Sequence, residues 1–120
     1  MRCRSLLLLC LVAIALPVAA SAQINPFRGG RGTPLNAEDL KALQDATKQL
    51  LDSQQVSVGS TESWNNTRSG IAGTVTAGST LQRHGLACRR TSYQITGPGA
   101  EPDRKAALVW CKSKTGWKIG

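Results

Sequence analysis

Two cysteines at a spacing that fits a hairpin constrain this chain more than any other feature. Around them the sequence reads as two strand-like runs, Leu86 to Thr96 and Arg104 to Ser113, joined through Gly97-Pro98-Gly99. β-Formers flanking turn residues in this way predict an antiparallel hairpin. The residue numbers of opposed positions in such a hairpin add to a constant, and a loop of Gly97 to Pro102 fixes that constant at a value that Cys88 and Cys111 satisfy. Opposed residues hold their Cβ atoms roughly 4.5–5.5 Å apart, near the reach of a disulfide, so a cross-strand bond between Cys88 and Cys111 is expected. The same register puts Ala87, Arg89, Thr91, Tyr93, Ile95, Leu108, Trp110 and Lys112 on one face, read as the core side. Arg89 then opposes Trp110 and is placed to lay its guanidinium across the indole, as a structural arginine. Arg90 and Lys105 project from the opposite face, opposing Val109 and Gln94.

A disulfide needs an oxidising compartment, and the start of the chain supplies the route to one. Met1-Arg2-Cys3-Arg4 is basic, Leu6 to Leu16 is an apolar run too short to span a bilayer, and Ala20-Ser21-Ala22 offers the small residues of a cleavage site. This pattern predicts a secretory signal peptide over residues 1–22, cut after Ala22. Cys3 and Cys10 leave with it, and the next residue is Gln23 rather than an acylatable cysteine. Removing 22 of 120 residues leaves 98, enough for one small domain. Loss of Arg2 and Arg4 takes the formal charge from +8 to +6. In an envelope, so basic a chain meets anionic polymers and lipid headgroups, not nucleic acid.

Residues 23–35 carry Gly, Pro and two arginines without periodicity and are expected to form a flexible leader. Arg28-Gly29-Gly30-Arg31-Gly32 is read as spacer, not as an RNA-binding segment. A helix is predicted over residues 36–53, with Asn36 as N-cap, Glu38 and Asp39 in the first turn, and Leu40, Leu43, Thr47, Leu50 and Leu51 forming one stripe. From Val56 the composition turns to Ser, Thr, Gly and Val, and strands are expected at Val56 to Trp64, Ile71 to Gln82, Leu86 to Thr96, Arg104 to Ser113 and Trp117 to Ile119. Short links between consecutive strands favour a meander. The fold class is therefore α+β: one domain over 36–120, a helix packed on an antiparallel sheet of four to five strands over 56–119, closed by one disulfide.

Chemistry has little to work with. His84 is the only histidine and falls in a turn, the mature cysteines are expected to be oxidised, and Asp52, Glu62, Glu101 and Asp103 are scattered. No metal site, cofactor site or activated nucleophile can be assembled from these residues, so the protein is not expected to be an enzyme. Asn65-Asn66-Thr67 matches a glycosylation sequon and is read as accidental.

Trp64-x-Asn66, Ser69-Gly70-x-x-Gly73-x-Val75, Gly85-x-x-Cys88-Arg89 and Cys111 followed by Gly116-Trp117 occur in that order. Together they resemble the C-terminal β domain of the 17 kDa surface antigen family of bacterial envelopes, over about Val58 to Ile119. The resemblance implies an exported envelope protein, often associated with the outer membrane, with no catalytic residue to carry over. The family's lipobox cysteine and glycine zipper are missing here. The expected function is thus a surface-antigen-like structural or interaction role in the periplasm or at the outer membrane. The alternative is a soluble periplasmic binding module or inhibitor that recognises lipopolysaccharide, peptidoglycan or a protein through basic residues such as Arg90 and Lys105. Mass spectrometry of protein recovered from the envelope should give a mature chain beginning at Gln23 and carrying no lipid; a lipid-sized increment would contradict it.

Overall fold

The computed structural model of the protein describes residues 24–27, 34–97 and 104–120. The expected signal segment, most of the leader and the interior of the Gly97 to Pro102 loop lie outside the described residues.

One helix, α1 (Ala37–Asp52), precedes five strands: β1 (Thr61–Asn66), β2 (Ile71–Arg83), β3 (Leu86–Thr96), β4 (Arg104–Ser113) and β5 (Gly116–Ile119). The strands pair antiparallel in sequence order, as short connections dictate. The α+β expectation holds: a helix packed on a five-stranded meander, with Cys88 bonded to Cys111. The predicted hairpin register is met pair for pair. Cys88 faces Cys111, Arg89 faces Trp110, Arg90 faces Val109 and Gln94 faces Lys105. The two cysteine Cα atoms are 4.0 Å apart.

The helix forms where its caps allow. Asn36 Oδ1 accepts from Asp39 N at 2.8 Å while Asp39 Oδ2 accepts from Asn36 N at 3.0 Å, a reciprocal box that satisfies two groups at the helix start. Leu40, Leu43, Thr47, Leu50 and Leu51 are buried as the stripe predicts, joined by Ala46 and Asp39. Against them pack Trp64, Ile71, Val75, Ala77, Tyr93 and Ile95 from one face of the sheet. On the hairpin's core face Thr91, Tyr93, Ile95 and Trp110 are buried and Leu108 is half-buried, but Ala87 and Lys112 at its far end are exposed.

Three expectations need correction. Strand β1 begins at Thr61 rather than Val56 and runs on to Asn66. Gly59 sits at φ 91°, and Ser60 N donates to Ser57 O at 3.0 Å, so residues 57–60 form a turn that leads into the strand, Gly59 N already donating to Ala77 O at 2.8 Å. The leader is also more than spacer, because Phe27 and Leu35 are both buried and belong to the core. Finally, Arg89 does not rest on Trp110. Its Nη1 donates to Gly78 O at 2.8 Å, where β2 shifts register between Ala77 and Thr80. A β-bulge sets two residues against one and leaves backbone groups outside the ladder; the Arg89 guanidinium satisfies one of them. Arg89 is still structural, by a different contact.

The disulfide joins positions 23 residues apart, and in the chain-entropy account a loop of that size contributes roughly 3 kcal/mol. In a domain this small, that corresponds to a melting temperature lower by at least about 10 °C. Thermal unfolding of Cys88→Ser should show a fall of this size, and an unchanged midpoint would show that the bond does not stabilise the fold.

Candidate functional site

The sheet has two unlike faces. Toward the helix, a chain of hydrogen bonds runs from Trp110 Nε1 to Tyr93 Oη at 3.1 Å and from there to Thr47 Oγ1 at 2.9 Å. Thr47 spends its single proton on Leu43 O at 2.9 Å, so Tyr93 is the donor in the middle bond. These links clamp α1 to β3 and β4. Beside them, a groove of about 440 Å³ opens between the second half of α1 and the β4–β5 hairpin, lined by Gln44, Lys48, Leu51, Trp110 and Trp117, with Ile24 at its margin. Lys112 Nζ lies 6.0 Å from the centre of the Trp117 ring, within cation–π range.

The sequence motif around Trp64 proves to be packing and hydrogen bonding. Asp39 is 1 % exposed. Its Oδ1 accepts from Asn66 Nδ2 at 2.8 Å and from Ser69 Oγ at 2.6 Å, and its Oδ2 accepts from Asn36 N. A carboxylate out of water is costly unless donors replace the water, and here three do. Asn66 and Ser69 therefore serve to hold the helix start onto the β1–β2 turn. Arg68 reinforces this from outside through Glu38 at 2.9 Å, an exposed pair of small energetic weight. Trp64 lies flat against Gly73, where a Cβ would come within 2.7 Å of three ring atoms; only glycine admits the indole.

The opposite face is uncovered by any of the described residues, and is called the open face. From the register it presents Thr61, Ser63 and Asn65 on β1, Ala72, Thr74, Thr76, Leu81 and Arg83 on β2, Leu86, Cys88, Arg90, Ser92, Gln94 and Thr96 on β3, Lys105, Ala107, Val109 and Cys111 on β4, and Lys118 on β5. At one end Ser63, Asn65, Thr74, Gln94 and Thr96, together with Trp64, Ala72 and Gly73, line a shallow trough of about 600 Å³. At the other, Arg83 and Arg90 border a smaller hollow of about 270 Å³ beside Val109 and Gly120; Arg83 Nη1 donates to Gly120 O at 3.3 Å.

Arg90 and Lys105, the basic pair picked out from sequence, both lie exposed on this face. They are not neighbours. Lys105 sits level with Gln94, four residues along β3 from Arg90, or about 13 Å at strand rise. Lys118, level with the disulfide because it opposes Cys111, adds a further exposed cation, as does Arg83 opposite Leu86. Sequence alone does not place Lys118, because β5 has no predicted register; the short Ser113 to Gly116 turn is the usable signal. Among the described residues every acid lies on the other side: Glu38, Asp39, Asp45 and Asp52 on α1, and Glu62 opposite Val75. His84 is exposed in the β2–β3 turn, and the described residues contain no group of three His, Cys, Asp or Glu arranged to hold a metal.

Replacing Asp39 should expose how much rests on it. Hydrogen bonds to a charged group contribute about 1.5–3 kcal/mol each, so Asp39→Ala is expected to cost at least about 3 kcal/mol in chemical denaturation. Asp45→Ala, which removes only an exposed partner of Lys41, should cost under about 1 kcal/mol. Equal losses would show that the Asp39 network is not what fixes the helix.

Compared with protein-family models, with curated proteins and with solved structures, the chain matches none of them.

Proposed function

We propose that the chain is an exported, non-enzymatic protein of the bacterial envelope, of the surface-antigen type, that works by binding. Its open sheet face takes an anionic envelope polymer. The observation that carries this reading is the segregation of charge across the sheet. Lys41, Lys48, Arg89 and Lys112 share the helix side with the acids, whereas Arg83, Arg90, Lys105 and Lys118 stand exposed on a face without a described carboxylate. Summed fields of one sign attract polyions and raise their local concentration. The export half of the reading is supported by the signal-like start and by a disulfide that suits an oxidising compartment.

A second reading, a binding module free in the periplasm, is favoured by the absence of an acylatable cysteine after Ala22. Fractionation separates the two, since an envelope component sediments with outer membranes through carbonate washing and a free module leaves in the osmotic-shock fluid.

Binding of the purified mature protein to lipopolysaccharide or peptidoglycan, followed from 0.1 to 1 M salt, tests the surface itself. Over that range the Debye length falls from about 10 Å to about 3 Å, and binding should weaken strongly. Arg90→Ala and Lys105→Ala should each reduce it at low salt, and Lys41→Ala on the helix should not. Salt-indifferent binding, or equal losses from all three changes, would remove the open face from consideration.

A further inference from the structure

We infer that the partner of the open face is a linear anionic glycan lying along β3, with its charged groups on Lys105, Arg90 and Lys118 and its sugar hydroxyls in the trough around Thr74 and Gln94. This rests on the reading that the open face binds an anionic polymer, and it narrows that polymer by three observations.

Spacing is the first. Lys105 is level with Gln94, Arg90 lies four residues further along β3, and Lys118 is level with Cys88, two residues beyond Arg90. At about 3.3 Å per residue the three cations form a track about 20 Å long. No two of the three stand at the same level of the sheet; Arg83, which borders the same hollow as Arg90, adds a fourth cation at that end. A ligand engaging the track must carry its anions at intervals along an extended chain, and its gain comes from occupying several weak sites at once.

Composition is the second. Between and beside the cations stand hydroxyl and amide side chains, and the trough at the Lys105 end combines Ser63, Asn65, Thr74, Gln94 and Thr96. Such groups both donate and accept hydrogen bonds, which matches the mixed donor and acceptor character of sugar hydroxyls.

The third is the lack of exposed aromatic side chains on that face. All three tryptophans and Tyr93 lie on the helix side, Trp64 opposite Gly73, Trp110 opposite Arg89, Trp117 opposite Lys112 and Tyr93 opposite Val75. Binding of single-stranded nucleic acid relies on aromatic platforms for its bases, and the one aromatic residue bordering the trough, Trp64, is only 8 % exposed. The face's apolar members along the track are Ala72, Ala107 and Val109, and its two leucines, Leu81 and Leu86, gather beyond Arg90 beside Cys88.

Titration calorimetry of the mature, disulfide-bonded protein at low salt with heparin-derived oligosaccharides of defined length, and with polyphosphate of matched length, tests the proposal. A hexasaccharide should bind at least about tenfold more tightly than a disaccharide, which cannot reach from Lys105 to Arg90. Arg90→Ala should abolish most of that length dependence. Gln94→Ala, checked for an unchanged melting temperature, should weaken the hexasaccharide by about threefold to tenfold, as the loss of one or two hydrogen bonds implies, and leave polyphosphate unaffected. Equal affinity for the two oligosaccharides would overturn the extended track. Indifference of the hexasaccharide to Gln94→Ala, or an equal effect of that change on polyphosphate, would overturn the sugar contacts; in both cases binding that still depends on Arg90 leaves the wider anionic-polymer reading standing. Absence of binding to every probe would take that reading down as well.

Discussion

The fold depends on one buried carboxylate. Asp39 stands in the first turn of the helix and is enclosed by Asn36, Asn66 and Ser69. The helix start, with its unsatisfied N–H groups and positive dipole end, is the place where a negative side chain is most easily tolerated. The two further donors come from the β1–β2 turn, so satisfying the carboxylate also decides where the helix sits. It lies across the β1 and β2 end of the sheet, with Trp64 pressed on Gly73 beneath it. The Trp110, Tyr93 and Thr47 chain then holds its second half down over β3 and β4. A single helix cannot cover both faces of a five-stranded sheet, so fixing it on one leaves the other uncovered among the described residues.

That arrangement shows what was legible in the sequence and why the remainder was not. The β3–β4 register could be read because a hairpin obeys arithmetic: two ends of a loop fix every pair, and Cys88 with Cys111 provided an independent check. The helix was legible for a similar reason, since its period and its Asn36 cap are local. The role of Asp39 was not. Its position in the first turn suggested only a favourable dipole interaction, and its burial depends on Asn66 and Ser69, some 27 and 30 residues away. Local pattern carries no record of such a partner. The start of β1 failed differently. Val56, Ser57 and Val58 have strand propensity, but Val58 is 71 % exposed, and propensity yields to whether a neighbouring strand is there to pair. The bulge at Gly78 and Ser79 breaks the constant-sum rule within β2, which is why Arg89 found a backbone carbonyl instead of the indole.

The candidate surface was legible only in part, for a related reason. Alternation along one strand told which residues share a face, so Arg90 and Lys105 could be assigned to the side opposite Trp110. Whether that face is covered, and which charges from other strands join it, depends on strand order and on where the helix lands. Only with β5 paired to β4 does Lys118 come level with the disulfide. Only with α1 on the other side do its carboxylates leave the open face to the cations.

The disulfide belongs to this account as more than a clamp on the unfolded chain. Cys88 and Cys111 lie on the open face, between the level of Arg90 and the β2–β3 turn, and are almost fully buried at 2 % and 5 % exposure. Arg90 is two residues from Cys88, and Lys118 directly opposes Cys111. The covalent link therefore fixes the backbone that carries two of the three cations in the track. Long cationic side chains lose rotamer entropy when they bind, and an ordered backbone keeps that cost from being joined by loss of backbone freedom. A binding surface made of weak, widely spaced contacts gains most from such rigidity, because each contact alone contributes too little to organise the sheet beneath it.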